Sequence, residues 1–175
     1  MNLLLFIVNH ITNVLPPTRL YRLKSRLYRF VGFKIHDTVR LVSSVNIWGT
    51  FKLSIGHDTF IGFEVLICGG DSYIEIGNCV DIAPRVCIVN GTHEIDMLGN
   101  HSAGFGLSKP IIIEDGVWIG ANSTILGGVI IGTKSIIAAG SVVVDNIPPN
   151  VVAAGVPCKP IKKWNSRSKK WEKYQ

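Results

Sequence analysis

Isoleucine recurs at every sixth residue through the second half of the chain. From Ile113 the aliphatic heads run Ile119, Ile125, Ile131, Ile137 and Val143, six in succession at a spacing of six. A small residue often follows the head, as at Gly120, Gly132 and Ala138. The same frame runs through Ile55, Ile61 and Ile67, through Ile76, Ile82 and Ile88, and more loosely through Ile35, Leu41, Ile47 and Leu53. A merely isoleucine-rich sheet does not give six consecutive heads in one frame. The pattern fits a short strand followed by a tight corner, three of which close a triangular coil of about 18 residues. Heads of successive coils then stack inside the prism at the spacing of neighbouring strands, about 4.8 Å, and a small residue after the head relieves crowding at the corner. The expected fold is all-β: a left-handed parallel β-helix of hexapeptide repeats, with an N-terminal helical segment, an extruded loop and a short C-terminal arm.

Breaks in the frame locate the departures from the prism. From Ile67 to Ile76 the step is nine, so three extra residues bulge out around Gly69, Gly70 and Asp71. From Ile88 to Ile113 the step is 25, which extrudes a loop over about residues 91–109 that carries His93 and His101.

The ends are different material. Between Thr18 and Val31, Leu20, Leu23, Leu27 and Phe30 or Val31 form one helical stripe and Arg19, Arg22, Arg26 and Arg29 another, which predicts an amphipathic helix. Two roles suit it: a cap covering the hydrophobic core at the open end of the prism, or docking on a membrane surface with Leu3 to Val8 dipping in. The expected organisation is a helical capping segment over 1–34, a β-helix over 35–156 and a basic tail over 157–175 in which Trp164 and Trp171 act as anchors.

Composition narrows the class. A chain of 175 residues with 47% hydrophobic and 17% charged content suits one packed domain and excludes disordered and collagen-like proteins. Cys68, Cys79, Cys87 and Cys158 form no CxxC pair and have no histidine at zinc-ligand spacing, so they are expected to be reduced thiols. The apolar run from Asn2 to Val8 is far shorter than the roughly 20 residues a spanning helix needs, and it lacks the features of a secretory leader. The expected location is the cytoplasm, with peripheral contact at the inner face of the membrane as a variant.

The net charge of +6 is unevenly distributed: residues 18–34 hold six basic residues, 159–175 hold seven beside Glu172 alone, and 35–158 carry −6. Basic flanks without a recognition fold do not indicate nucleic acid. An anionic membrane surface and a phosphate-bearing small ligand are the two candidates.

The segment from Pro110 to Lys163 resembles the C-terminal half of the hexapeptide-repeat acyltransferases, and most of all the branch of maltose, galactoside, nodulation-factor and colanic-acid type O-acetyltransferases. The likeness rests on Val117-Trp118-Ile119-Gly120, on Ala138 to Val143, and on Ile147-Pro148-Pro149-Asn150 through Gly155-Val156-Pro157. Upstream, Thr92-His93 falls where that branch has its active-site histidine. The resemblance covers about residues 50–163. It implies acetyl transfer from acetyl-CoA to a hydroxyl, usually of a sugar, in homotrimers whose sites lie between neighbouring prisms.

That chemistry needs a base for the hydroxyl proton and N–H donors for the developing oxyanion. Histidine suits the first role, with an ordinary pKa of about 6.5. His93 is the candidate, His101 the second choice, and His36 and His57 are expected at outer corners. Glu94, Asp96, Asp71 or a backbone carbonyl could orient the imidazole. By resemblance, the turns at Gly120, Ala121, Ala139 and Gly140 would offer amides to CoA, Lys159, Lys162 and Lys163 its phosphate contacts, and Trp118 would shape the groove or meet another subunit. Glu64, Asp71, Arg85 and Asn90 are the acceptor-binding candidates. Phe63-Glu64 departs from the Asn-rich sequence usual in maltose-type relatives, which favours a polysaccharide or lipid-linked precursor over a simple sugar. No metal is expected: a γ-type carbonic anhydrase needs three histidines around zinc, and only His93 and His101 share the loop. The remaining alternatives are N-acetylation of an amino-sugar and a non-catalytic scaffold or sugar-binding module.

Overall fold

The computed structural model describes residues 3–174; Met1 and Asn2 of the N-terminal segment and Gln175 of the tail lie outside the described residues. Two helices, α1 (Leu3–Val14) and α2 (Tyr21–Phe30), precede the coils. The first coil is β1 (Lys34–Ile35), β2 (Arg40–Leu41) and β3 (Asn46–Gly49). The second is β4 (Lys52–Ile55), β5 (Phe60–Ile61) and β6 (Leu66–Gly69), and the third β7 (Tyr73–Ile76), β8 (Asp81–Ile82) and β9 (Cys87–Val89). A hairpin of β10 (Gly91–Ile95) and β11 (Ala103–Ser108) interrupts the winding. It resumes with β12 (Ile111–Ile113), β13 (Trp118–Ile119) and β14 (Thr124–Leu126), then β15 (Ile130–Ile131), β16 (Ile136–Ile137) and β17 (Val142–Val143). The chain ends in β18 (Val151–Ala154), β19 (Lys159–Asn165) and β20 (Lys170–Lys173).

Strands from successive coils stack into three sheets: β1-β4-β7-β12-β15, β2-β5-β8-β13-β16-β18, and β3-β6-β9-β14-β17. Pairing is parallel throughout the coils, head on head: Ile55 on Ile76, Ile61 on Ile82, Ile67 on Ile88, Ile119 on Ile137 and Ile125 on Val143. This architecture fits a left-handed parallel β-helix. The heads are the core: Ile61, Ile67, Ile82, Ile88, Ile119, Ile125 and Ile131 are fully buried, each worth about 1.5–3 kcal/mol relative to an exposed side chain. The corners need tight turns, and Asp58, Glu64, Cys79, Arg85, Asn122, Lys134 and Asn150 all occupy them with positive φ. At the C-terminal end, β19 turns back antiparallel on β18 and β20 antiparallel on β19. Trp164 and Trp171 face each other across that ribbon with ring centroids 5.4 Å apart.

The N-terminal cap departs from the expectation of an apolar stripe over the core. Of the expected stripe Leu27 and Val31 pack partly buried against the core, but the fully buried residues of α2 are Lys24, Ser25 and Tyr28, and Leu20, Leu23 and Phe30 are exposed. The reason is the open edge of the first coil. Strands β1, β2 and β3 have neighbours on one side only, and their outward backbone groups would otherwise be buried unpaired. The helices supply the partners. Asn9 of α1 donates from Nδ2 to the Ile47 carbonyl at 2.7 Å and accepts the Ile47 N–H at 3.2 Å. The Lys24 ammonium donates to the Leu41, Pro16 and Pro17 carbonyls at 3.2, 3.0 and 2.8 Å. Arg29 donates to the Ile35 carbonyl at 3.0 Å. Tyr28 donates to Asn9 Oδ1 at 2.8 Å and Val45 O at 3.3 Å. Leu5 and Val8 cover the apolar centre. The cap therefore turns a mixed face inward, with Asn9, Lys24, Ser25 and Tyr28 beside Leu5, Val8, Leu27 and Val31.

Candidate functional site

The extruded segment is an antiparallel hairpin rooted in the coil. Gly91 faces Ser108, Thr92 faces Leu107 and His93 faces Gly106, and the register shifts between His93 and Ile95. Its residues are almost all exposed, and its tip is tightened by Asp96, whose carboxylate accepts the Leu98 and Gly99 N–H groups at 2.8 and 2.9 Å. Those two N–H groups hold the Asp96 carboxyl below the usual carboxylate range.

The root is rigid by construction. Asn90 is fully buried; its N–H donates to the Cys68 carbonyl at 3.1 Å, its carbonyl accepts the Lys109 N–H at 2.9 Å, and its Nδ2 reaches Gly70 O at 3.3 Å. Asn90 Oδ1 is buried without a partner. It lies 1.6 Å from where a Cβ on Gly69 would sit, at a φ of +149° that also favours glycine. A Cβ on Gly127 would stand 2.6 Å from the Asn90 carbonyl. The three extra residues after Ile67 thus include the glycines on which the next coil's Asn90 rests, a link that single-sequence reading of the frame break does not reveal.

His93 is therefore held three residues beyond a fully buried and almost fully bonded position. Among the described residues of one chain, its ring makes no hydrogen bond. Asp96 is committed to the turn at the tip, and Asp71 lies exposed at the corner of the preceding coil, between the third and first sheets. His101 sits at the tip and is exposed. His36 and His57 stack edge to face at 5.9 Å on the corner between the first and second sheets.

The other candidates gather at a different corner, between the second and third sheets. Glu64 and Arg85 lie there on adjacent coils, both with positive φ, joined by an ion pair of 2.7 Å. That pair raises the Arg85 pKa further through its hydrogen bond and charge contact with Glu64. Above them on the same corner follow Gly120 and Ala121, then Ala139 and Gly140, with the Gly140 N–H donating to the Ala121 carbonyl at 2.8 Å. Trp118, on β13 of the second sheet, is 53% exposed, enough to meet a ligand or another chain. Around Gly140 a side-chain carbon would meet nothing within 4 Å, so the backbone is open to approach there. Gly120 is different: a Cβ would lie 2.5 Å from Ala139 N, and the absent side chain lets the coils stack. Lys159 is paired with Asp145 at 2.7 Å, while Lys162 is exposed on β19 with no carboxylate partner among the described residues.

One chain therefore splits the candidates into two sets. Asp71, Asn90 and His93 stand at the hairpin corner. Glu64, Arg85, Gly120, Ala121, Ala139 and Gly140 stand at the next, separated by a strand of the third sheet about 13 Å long. Among the described residues no cluster of three or more His, Cys, Asp or Glu could hold a metal ion, and no helix is long and apolar enough to cross a membrane.

Comparison with known proteins bears on the family to which this prism belongs. The pattern of the family described as bacterial transferase hexapeptide (six repeats) matches residues 110–145. Galactoside O-acetyltransferase of Escherichia coli is 42% identical over 120 residues, covering 67% of this chain and 57% of the relative. WbbJ of E. coli, provisionally named a lipopolysaccharide biosynthesis O-acetyl transferase, is 33% identical over 141 residues, covering 78% of this chain and 63% of its own. The structure of a maltose O-acetyltransferase from Clostridium difficile superposes with a TM-score of 0.66 at 29% identity, covering 93% of this chain and 89% of that one. The chain spans little more than half the length of several curated relatives it matches. With the six-residue frame, the three stacked sheets and these matches together, the chain belongs to the hexapeptide-repeat acyltransferases.

Proposed function

We propose that this protein transfers an acetyl group from acetyl-CoA to a hydroxyl of a sugar or polysaccharide precursor, with His93 as general base and the site shared between copies of a homotrimer. The observation that carries this reading is the division of candidates between two corners of one prism. A neighbouring copy that placed its Ala121 to Gly140 corner against this hairpin would bring both halves together. Similarity to an enzyme named galactoside O-acetyltransferase, and to one with a lipopolysaccharide name, supports the saccharide class of acceptor.

In this reading acetyl-CoA supplies an activated thioester. Its arm would lie along the corner where Gly140 leaves the backbone open, and Lys162, exposed on β19 with Lys163 beside it, would meet its phosphates. The His93 imidazole takes the proton from the acceptor hydroxyl as its oxygen bonds to the carbonyl carbon. Backbone N–H groups near the Trp118 to Ala121 turn hold the charge that develops on the carbonyl oxygen. As the C–S bond breaks, the imidazolium returns the proton to the departing sulfur, so the histidine is regenerated and the products are an acetyl ester and a thiol. Asp71, Glu64 and Arg85 are assigned to the acceptor side; Asn90, expected among them, is fully buried under Gly69 and serves instead as the support of the hairpin that carries His93. The segments 1–34, 35–156 and 157–175 serve as cap, catalytic prism and phosphate-contacting tail.

The test is CoA-thiol release by the full chain against panels of sugars, nucleotide-sugars and amino-sugars. Mass spectrometry of the product, before and after mild base, separates ester from amide. His93→Ala is expected to lower turnover by about 10²–10⁴ while CoA binding, followed by calorimetry, stays intact. Near-normal turnover in that variant refutes the assignment of the base.

A further inference from the structure

The cap raises a question that the reaction leaves unanswered, namely what meets its outer side. Because polar residues of α1 and α2 are turned inward to pair with the edge of the first coil, apolar residues are left facing out. On α1 these are Leu3, Ile7, Ile11 and Val14, exposed by 69, 42, 40 and 75%. Their spacing of about one helical turn puts them on one stripe, opposite the buried Leu5, Val8, Asn9 and Thr12. On α2, Leu23 and Phe30 are 42 and 77% exposed, opposite the buried Lys24 and Tyr28, and Leu20 just ahead of the helix is 50% exposed.

Charge distinguishes the occupant. No aspartate or glutamate occurs before Asp37, whereas Arg19, Arg22, Lys24, Arg26, Arg29 and Lys34 precede it. Lys24 and Arg29 are used inside the cap, and Arg29 also pairs with Asp37. Arg22 and Arg26, by contrast, are exposed on α2 beside Leu23 and Phe30; among the described residues Arg19 and Arg22 form no ion pair with a carboxylate, and Arg26 only feels the charge of Asp37, which is bound by Arg29. A second copy of the same cap would set arginine against arginine. An apolar strip fringed by exposed arginines is instead the pattern of helices that lie in the headgroup region of an anionic bilayer, with apolar side chains inserted and guanidinium groups at phosphate level.

We propose that the outer face of the α1–α2 cap docks the protein on an anionic lipid surface, with the prism projecting from it. The inference is independent of the acetyl-transfer reading, because none of the residues involved is assigned to that site. It is tested by co-sedimentation of the full chain with phosphatidylglycerol-rich vesicles and with pure phosphatidylcholine vesicles. The wild-type chain is expected to bind the anionic vesicles and to be released by salt, since exposed charge pairs are screened. Ile7→Ser with Ile11→Ser should lower the partition coefficient at least tenfold, and Arg22→Gln with Arg26→Gln by about fivefold for each arginine removed. All four positions are exposed, so thermal unfolding and CoA binding should match wild type and separate lost docking from lost folding. Equal binding to both vesicle types, or no binding to either, overturns the proposal. So does sedimentation-velocity evidence that the same substitutions abolish a cap-to-cap association of the lipid-free protein.

Discussion

Replacing Lys24 by Met is a sharp test of how the prism is closed. The side chains have similar length, but the thioether cannot donate, and three carbonyl oxygens would lose the ammonium that lies 2.8 to 3.2 Å from them. Leu41 belongs to the edge strand β2, and its carbonyl has no strand on that side to turn to. Leaving a buried acceptor unpaired costs about 1–3 kcal/mol. Removing a buried charge returns part of that, since burial already lowers the Lys24 pKa. A net loss of about 2–4 kcal/mol follows for Lys24→Met, read as a lower midpoint in urea at unchanged slope and as faster amide exchange in α2. The control is the adjacent residue. Leu23→Ser, on the exposed side of the same helix, should change stability by no more than about 0.5 kcal/mol. A cap closed by its leucine stripe would give the opposite order, with Leu23→Ser costly and Lys24→Met silent, and that result would refute the role of the inward polar residues.

Three further outcomes are expected. Gly69→Ala places a methyl group on Asn90 Oδ1 at a φ alanine disfavours, so it should displace the hairpin root and depress acetyl transfer far more than CoA binding, which turnover and calorimetry would separate. Tyr28, whose pKa is pushed up to about 12 by burial and only partly offset by Thr12, ionises near pH 10 in the unfolded chain. Its contribution is complete below pH 10 and falls as pH rises to 12, by about 2.7 kcal/mol over that span. Tyr28→Phe should remove this alkaline slope in urea titrations, whereas the lowered pKa of Lys24 acts in the opposite sense in both proteins. Lys162→Ala should raise the KM for acetyl-CoA several-fold at constant kcat, as loss of a uniform binding contact does; an unchanged KM would remove Lys162 from the phosphate contacts.

The interior of the prism was legible because its constraint is local and repeated. Every head from Ile113 to Val143 meets the same geometry, so the frame survives without an alignment. The ends were not legible in the same way. A period read from apolar residues assumes that apolar groups are what must be hidden, and at the rim of a β-helix unpaired backbone must be hidden as well. Lys24, Ser25 and Tyr28 answer that second demand, and nothing in the spacing of α2 announces it. The tail illustrates another limit: Trp164 and Trp171 stand out as anchors, but their cross-strand pairing depends on a turn at Ser166 to Lys169 whose register the sequence does not print. At the site, the excursion from the frame could be sized, and His93 singled out by resemblance. The support of Asn90 by Gly69 and Gly70 spans two coils and emerges only when they are stacked.

The Lys109 N–H bonds to the Asn90 carbonyl across the base of the hairpin, so the chain leaves and re-enters the prism at nearly the same point. Inserted length is then almost free of consequence for the scaffold: doubling a flexible loop between fixed ends costs only about 0.6 kcal/mol in closure entropy. The segment bearing His93 behaves as an exchangeable cassette. On the proposed reading, lengthening, shortening or rewriting it would change which acceptor is met while leaving the isoleucine ladder beneath unaltered.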